Sequence, residues 1–430
     1  MVTLIASTRP KLVVDYLKPI DGPVQYLIPA GTESIWRSAG ITAPLRTVDS
    51  WTDFNALVAA VSGIPITRIL ATDESTIAAA GFLRSILDVP GQKWEQALAF
   101  TDKAVMKRRL RDAGIAVARW SVVHTFAEAA RAGDELTWPV VFKPRRGQST
   151  IGTTRVESVE HLSHLIATGR FDAHTVVGDL ELAQQASGVF EALTASVDGF
   201  LVEECVDVAV EYTCDIAVRS EQSVLVLTTQ YLSPLLDAVG RGEVAEFITV
   251  PSDSPEAVAV QLITRRAMAA LELTTGQVHC EVFRTKTGEY VLGEIGARAG
   301  GAALPALSAL LFGANTIEVG FDLALGRPPA AVHEGTATPI AAVGVPMKCG
   351  RVTRVPTLAQ LEALPGVIRA EIRTRIGQRS GGGLAAADAA AYLFVTAEHE
   401  PIEPVMDRAR AAAAALFAFD DSEREPAMVR

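Results

Sequence analysis

Apolar positions in the first hundred residues fall into two alternating patterns. Short unbroken apolar runs at Val2–Ala6, Val24–Ile28 and Arg68–Ala71 predict strands, whereas Leu12–Leu17, Trp51–Val61 and Glu74–Leu87 carry the periodicity of helices. Such alternation predicts a small parallel α/β domain, assigned to residues 1–97. It contains no GxGxxG turn, which argues against a dinucleotide site there. Asp73-Glu74-Ser75 closes the third strand, at the edge where α/β clefts open. A ligand contact and a plain acidic helix start both remain open for it.

Thr101-Asp102-Lys103 then opens an amphipathic helix ending at Gly114, with Ala104, Met106 and Leu110 on its buried side. Lys103, Lys107, Arg108, Arg109 and Arg111 make it strongly basic, and apart from Lys103 these read as a solvated face. Trp138–Pro144 is a strand ending in Lys143, and it runs into Arg145–Thr153, a glycine- and hydroxyl-rich loop before a strand at Thr154–Val156. Backbone N–H groups of such a loop can wrap a polyphosphate, although this is no P-loop. Residues 157–199 read as mixed helix and loop, polar and mobile, with His161 and His164 on a solvated helix. Phe200–Val206 is an apolar strand meeting Glu203 and Glu204, and Glu211 leads into a strand through Val218.

Val224–Thr229 and the helix Ala257–Leu271 lead to the stretch around which the rest is arranged, Gln277–Ala302. Val278–Phe283 and Tyr290–Ile295 are β-prone runs separated by Thr285-Lys286-Thr287-Gly288, which is turn chemistry. Such a hairpin sets Glu281 against Glu294, and like charges facing across a ladder destabilise it. A hard cation with oxygen ligands would relieve that cost. Arg298, in the glycine-rich exit Gly296–Gly301, suits an anion bridged to the cation. The alternative is an edge hairpin whose glutamates point into water.

Leu304–Leu311 and Thr316–Leu325 continue as helices, and a Pro- and Gly-punctuated connector begins near Gly326. Strands are expected at Gly344–Met347, Val352–Val355, Gly366–Ile372 and Tyr392–Val395, with a helix over Val405–Phe419 and a charged tail, Asp420–Arg430. The alanine runs Ala385–Ala391 and Ala411–Ala415 favour helix by composition.

A length of 430 residues implies two or three domains, and an apolar share near half marks a globular chain. The formal charge of −11 argues against nucleic acid or an anionic membrane as partner. Cys205, Cys214, Cys280 and Cys349 show no zinc spacing and suit a reducing, cytoplasmic setting. No run of eighteen apolar residues suggests a membrane span, and the first residues read as a strand.

The order of these pieces resembles the ATP-grasp superfamily of carboxylate–amine and carboxylate–thiol ligases over roughly residues 100–330, and most nearly the bacterial L-amino acid ligases. The resemblance implies an α/β protein with an α+β ATP-grasp domain at 98–330, a lid at about 120–200 and a C-terminal α/β domain at 331–430. It also implies ATP and Mg2+, with Mn2+ as a substitute. Lys103 and Lys143 would contact the phosphates, and Gly147–Gly152, including Ser149 and Thr150, would close over them. Glu203, with the backbone of Glu204 to Val206, would meet adenine, and Glu211 the ribose. Glu281 and Glu294 would hold magnesium, while Arg298 would steady the transferred phosphoryl group. Many members carry Asn two residues after the second glutamate, where this chain has Gly296. The implied reaction phosphorylates a carboxylate, that of an amino acid, and joins it to an amine with release of ADP and phosphate. A carrier-protein or coenzyme thiol is the alternative acceptor, and a nucleotide-binding protein without turnover is the alternative from another class. Ligases of this kind often form homodimers.

Overall fold

The computed structural model describes residues 1–147, 150, 152–167, 199–333, 335, 338–380, 389–397 and 399–420. The opening alternation folds as β1 (Val2–Ala6), α1 (Pro10–Tyr16), β2 (Val24–Pro29), α2 (Glu33–Ser38), β3 (Leu45–Val48), α3 (Phe54–Val61), β4 (Ile66–Ala71), α4 (Glu74–Ile86) and α5 (Trp94–Ala99). All its strand pairs are parallel, in the order β3-β2-β1-β4. Alternate residues serve opposite faces, as the period of two requires: Leu4, Leu27 and Ile69 pack into one cluster, and Ile5, Ile28 and Leu70 into another. With β2 on one side of β1 and β4 on the other, the strand order switches between β1 and β4. A crevice for ligands opens beyond the carboxyl ends at such a point.

Next come α6 (Lys103–Asp112), β5 (Trp120–Val123), α7 (Phe126–Leu136), β6 (Val140–Pro144), β7 (Thr154–Val156), α8 (Val159–Ala167) and β8 (Phe200–Glu204). Asp102 caps α6 by accepting from the N–H groups of Ala104 and Val105. The four strands form an antiparallel sheet, order β5-β8-β6-β7, packed on α7 and α8 through Val140, Val202, Ala129 and Leu162. Residues 168–198, within the stretch read as mobile, lie outside the described residues.

The centre is built from β9 (Val208–Arg219), β10 (Gln222–Tyr231), α9 (Leu235–Gly240), β11 (Phe247–Thr249), α10 (Pro255–Ala270), β12 (Gly276–Thr285), β13 (Tyr290–Gly296), α11 (Leu304–Phe312) and α12 (Thr316–Ala324). The C-terminal part adds β14 (Ile340–Pro346), β15 (Gly350–Arg354), α13 (Leu358–Glu362), β16 (Val367–Ile372), β17 (Arg379–Ser380), β18 (Ala389–Thr396), α14 (Ile402–Ala414) and β19 (Ala418–Asp420). One eight-stranded antiparallel sheet, order β13-β12-β9-β10-β11-β14-β18-β16, joins the two parts, so the last strands lengthen the sheet that carries the hairpin. A three-stranded sheet, β17-β15-β19, stands apart from it.

Two C-terminal expectations are corrected. Ala389–Ala391, helix-favouring by composition, open β18 between β14 and β16. Ala389 packs into one core cluster and Ala390 and Ala391 into another, so tertiary pairing overrides a weak intrinsic preference. The closing helix ends at Ala414, and Ala418–Asp420 instead pairs with β15. Among the described residues, no single helix is long and apolar enough to cross a membrane.

Candidate active site

The hairpin forms in the expected register. β12 pairs with β13 so that Glu281 faces Glu294 and His279 faces Gly296, with a bulge just after Glu281. Gly288, at φ +88°, makes the turn that a side chain would strain. Val278, Cys280 and Val282 point into the core with Val260 and Met268 of α10. The opposite face of β12 therefore presents Gln277, His279 and Glu281. Both glutamates stay about one-fifth exposed, at 23% and 22% of the side chain.

Their like charges are compensated from outside the hairpin. Lys103 Nζ lies 2.9 Å from Glu294 Oε1 and donates to the Gly147 carbonyl at 2.7 Å. Burial opposes the charge on both partners, but the pairing wins: Glu294 sits below the usual carboxylate range and Lys103 above the usual ammonium range. A second cluster lies beside the first. Glu203 Oε1 takes Lys107 Nζ at 3.1 Å and Lys143 Nζ at 2.9 Å. All three residues are buried, and the two ammonium groups overcome burial to hold the Glu203 carboxyl below its usual range. Burial depresses Lys107.

Lys107 thus corrects the expectation of a solvated basic face. It sits one turn from Lys103, a spacing that places both on one side of α6. Glu204 turns its carboxylate outward to Arg119, at 2.6 Å from Nε, and its own N–H donates to the Arg119 carbonyl. Glu211 is buried, accepts from the Leu235 N–H at 2.7 Å, and is pushed up to about 8 by burial and by the charge of Glu281.

The exit from β13 is tied at two points. Arg298 Nε donates to Glu74 Oε2 at 2.6 Å, which joins it to the head of α4, and Nη1 donates to the Ala299 carbonyl at 2.9 Å. Asp215, fully buried on β9, accepts from the Gly300 N–H at 2.7 Å and lies 3.2 Å from His279 Nδ1. Burial works against a charged imidazole, yet Asp215 holds His279 up to about 9. A Cβ at residue 300 would stand 2.8 Å from both Asp215 Oδ1 and His279 Nδ1, so only glycine fits there. At residue 296 a Cβ would meet Glu74 Oε2 at 3.5 Å, so the place of the absent side chain adjoins the Arg298–Glu74 pair.

These groups surround two adjoining cavities. The smaller, about 480 Å³, is lined by Lys103, Lys143, Thr150, Glu203, Glu204 and Val206. Glu211, Glu281, Glu294 and Arg298 complete its wall, so ten of the sequence-predicted site residues meet there, while Ser149 lies outside the described residues. The larger, about 790 Å³, opens between the N-terminal unit and the large sheet and shares His279, Glu281 and Arg298 with the first. Asp73 and Gln277 line it, and neither amide atom of the buried Gln277 makes a hydrogen bond. Sequence patterns do not pick out Lys107, Asp215 or Gln277 as site residues. The alternation along β12 places Gln277 and His279 with Glu281, but nothing local marks Asp215.

Two carboxylates on neighbouring strands are the hard oxygen donors that magnesium accepts. Among the described residues no group of three or more His, Cys, Asp or Glu is arranged to hold a metal. The pair fits an ion that takes its remaining ligands from phosphate oxygens and water.

Comparison with known proteins agrees with this geometry. Residues 108–304 match the ATP-grasp domain. The chain is 26% identical over 329 residues to an L-arginine-specific L-amino acid ligase from Bacillus subtilis, covering 76% of this chain and 75% of that protein. An L-amino acid ligase structure from Bacillus licheniformis superposes with a TM-score of 0.68 at 15% identity, over 97% of this chain and 98% of that one. A carboxyaminoimidazole ribonucleotide synthase from Aspergillus clavatus complexed with ATP gives 0.66 at 16% identity, over 96% and 97%. The resemblance read from the motif order is borne out: residues 108–304 carry an ATP-grasp domain, and the chain is similar to ATP-dependent, ADP-forming ligases, the L-amino acid ligases among them.

Proposed function

We propose that the smaller cavity takes ATP with magnesium, and that the larger one presents an amino acid whose carboxylate is phosphorylated and then joined to an amine. The observation that carries this reading is the meeting of the two cavities at His279, Glu281 and Arg298. There a γ-phosphate could face a carboxylate across one boundary.

Lys103 and Lys143 would exchange Glu294 and Glu203 for phosphate oxygens as nucleotide enters, which keeps buried charge paired in both states. Glu281 and Glu294 would hold magnesium, which when bound neutralises charge on the phosphates. Arg298, already steered by Glu74, would steady the transferred phosphoryl group. Thr150 and the strand end Glu203–Val206 would bracket the rest of the nucleotide, with Glu211 at the ribose. A substrate carboxylate oxygen attacks the γ-phosphorus and ADP departs. An amine then attacks the acyl carbon, and phosphate leaves with the bridging oxygen.

Support for an amine acceptor comes from the relative, an L-amino acid ligase. Lys103 and Lys107 point inward to carboxylates, whereas Arg108 and Arg111 stay exposed on α6. The test is a screen of amino acid pairs with ATP and magnesium, reading phosphate and product mass together. Phosphate should appear in step with a dipeptide-sized amide. ATP turnover that depends on no carboxylate and no amine would overturn the reading.

A further inference from the structure

One residue lining the larger cavity, Asp73, has a carboxylate oxygen with no hydrogen-bond partner among the described residues. Asp73, between β4 and the head of α4, is only 4% exposed. Its Oδ2 accepts from the Thr8 N–H at 2.9 Å and from the Thr72 hydroxyl at 3.1 Å. Oδ1 is buried and has no hydrogen-bond partner, and among the described residues no lysine, arginine or histidine pairs with Asp73. Buried polar groups in folded proteins are almost always satisfied, so an unpartnered carboxylate oxygen on a residue that lines a cavity suits a cationic donor that enters there. Its position narrows the choice. Asp73 lies at the strand-order switch between β1 and β4, where ligands of parallel sheets settle. The next residue, Glu74, is held by Arg298 at 2.6 Å, and both Asp73 and Arg298 line the cavity.

We propose that Asp73 receives the α-ammonium group of the amino acid whose carboxylate is phosphorylated, and thereby selects an α-amino acid over the plain carboxylic acid of the same skeleton. The proposal deepens the ligase reading above and rests on it. The α-ammonium and the carboxylate are borne on one carbon, so a donor with its carboxylate at Arg298 must place its ammonium close by. The acceptor amine has to lose a proton before it can attack, and a buried carboxylate would hinder that loss. The donor's amine has the opposite need. Held protonated by Asp73, it is no nucleophile and cannot compete with the acceptor for the acyl-phosphate.

Asp73→Asn tests this with little change in shape. The amide oxygen can still accept from Thr8 and Thr72, while an NH2 group replaces the bare oxygen. Phosphate release is measured for parent and variant with each of the twenty amino acids as donor, and with the des-amino acid of every active one, such as propionate for alanine. The parent should favour the amino acid by roughly 10- to 100-fold in kcat/KM, the range of a hydrogen bond to a charged group. In the variant that preference should shrink to within about threefold through a raised donor KM, with the ATP KM, the thermal midpoint and des-amino turnover unchanged. An intact preference in Asp73→Asn, or none in the parent, would overturn the role of Asp73 and leave the ligase reading standing. A fall in both donors together would assign Asp73 to the fold and also overturn the proposal. A parent releasing no phosphate with any amino acid would remove the ligase reading, and this proposal with it.

Discussion

The two cavities treat charge in opposite ways. Around the smaller, the buried lysines have already found carboxylates: Lys103 holds Glu294, and Lys107 and Lys143 share Glu203. Around the larger, Asp73 Oδ1 and both ends of the Gln277 amide are buried with neither a hydrogen bond nor an ion pair, whereas Lys107 Nζ and Glu203 Oε1, which also make no hydrogen bond, are ion-paired at 3.1 Å. Buried charges are costly alone, so on the proposed reading the smaller site holds its cations in pairs that a triphosphate would take over. A site for a smaller ligand can leave single polar atoms open at lower cost. On that reading the smaller pocket would exchange partners on binding and the larger one would gain them.

Breaking the first pattern at the hairpin should have the largest effect. Glu294→Gln should lower phosphate release by roughly 10²- to 10³-fold, the scale of losing one charge-stabilising group, while ATP binding only weakens. Unchanged turnover would remove Glu294 from the metal site. The variant Glu203→Gln, which leaves Lys107 and Lys143 buried without their shared carboxylate, should destabilise the chain by about 3 kcal/mol in a urea titration. No shift in midpoint would mean that the cluster is not a stabilising contact between α6 and β8.

A smaller change should follow Lys143→Ala. The ATP KM should rise about tenfold and the reaction slow, and no effect on either would count against the loop that follows β6. The mildest effect sharpens the comparison through pH. Glu211 titrates at about 8 in the folded chain against an ordinary 4.5, so the folded state binds its proton more tightly than the unfolded one. Its contribution to stability is complete below about pH 4.5 and is lost as pH rises toward 8. Glu211→Gln should therefore gain thermal midpoint relative to the parent as pH goes from 5 to 8. A constant difference across that range would show that Glu211 is not buried beside a second charge.

Much of the smaller site is legible in the sequence because its pieces are local. A period of two sets Glu281 against Glu294 across a short turn, and a strand end places Lys143 ahead of its loop. Lys107 escapes such reading because a basic helix in an acidic chain looks solvated. The carboxylate that buries it, Glu203, comes from a strand almost a hundred residues away. Asp73 and Glu74 stand out only as acids at a strand end. Their meaning depends on Arg298, 224 residues beyond Glu74, which no periodicity can connect. Composition misleads at Ala389–Ala391 for a related reason, since pairing between two neighbouring strands overrides it.

The most direct test of carboxylate activation in these joined cavities follows one oxygen atom. An active amino acid donor labelled with ¹⁸O in its carboxylate is incubated with ATP, magnesium and an acceptor amine, and the released phosphate is weighed by mass spectrometry. Phosphate carrying one ¹⁸O atom is the expected result, because the bridging oxygen of the acyl-phosphate leaves with phosphorus. Unlabelled phosphate formed together with the amide product would contradict phosphorylation of the carboxylate.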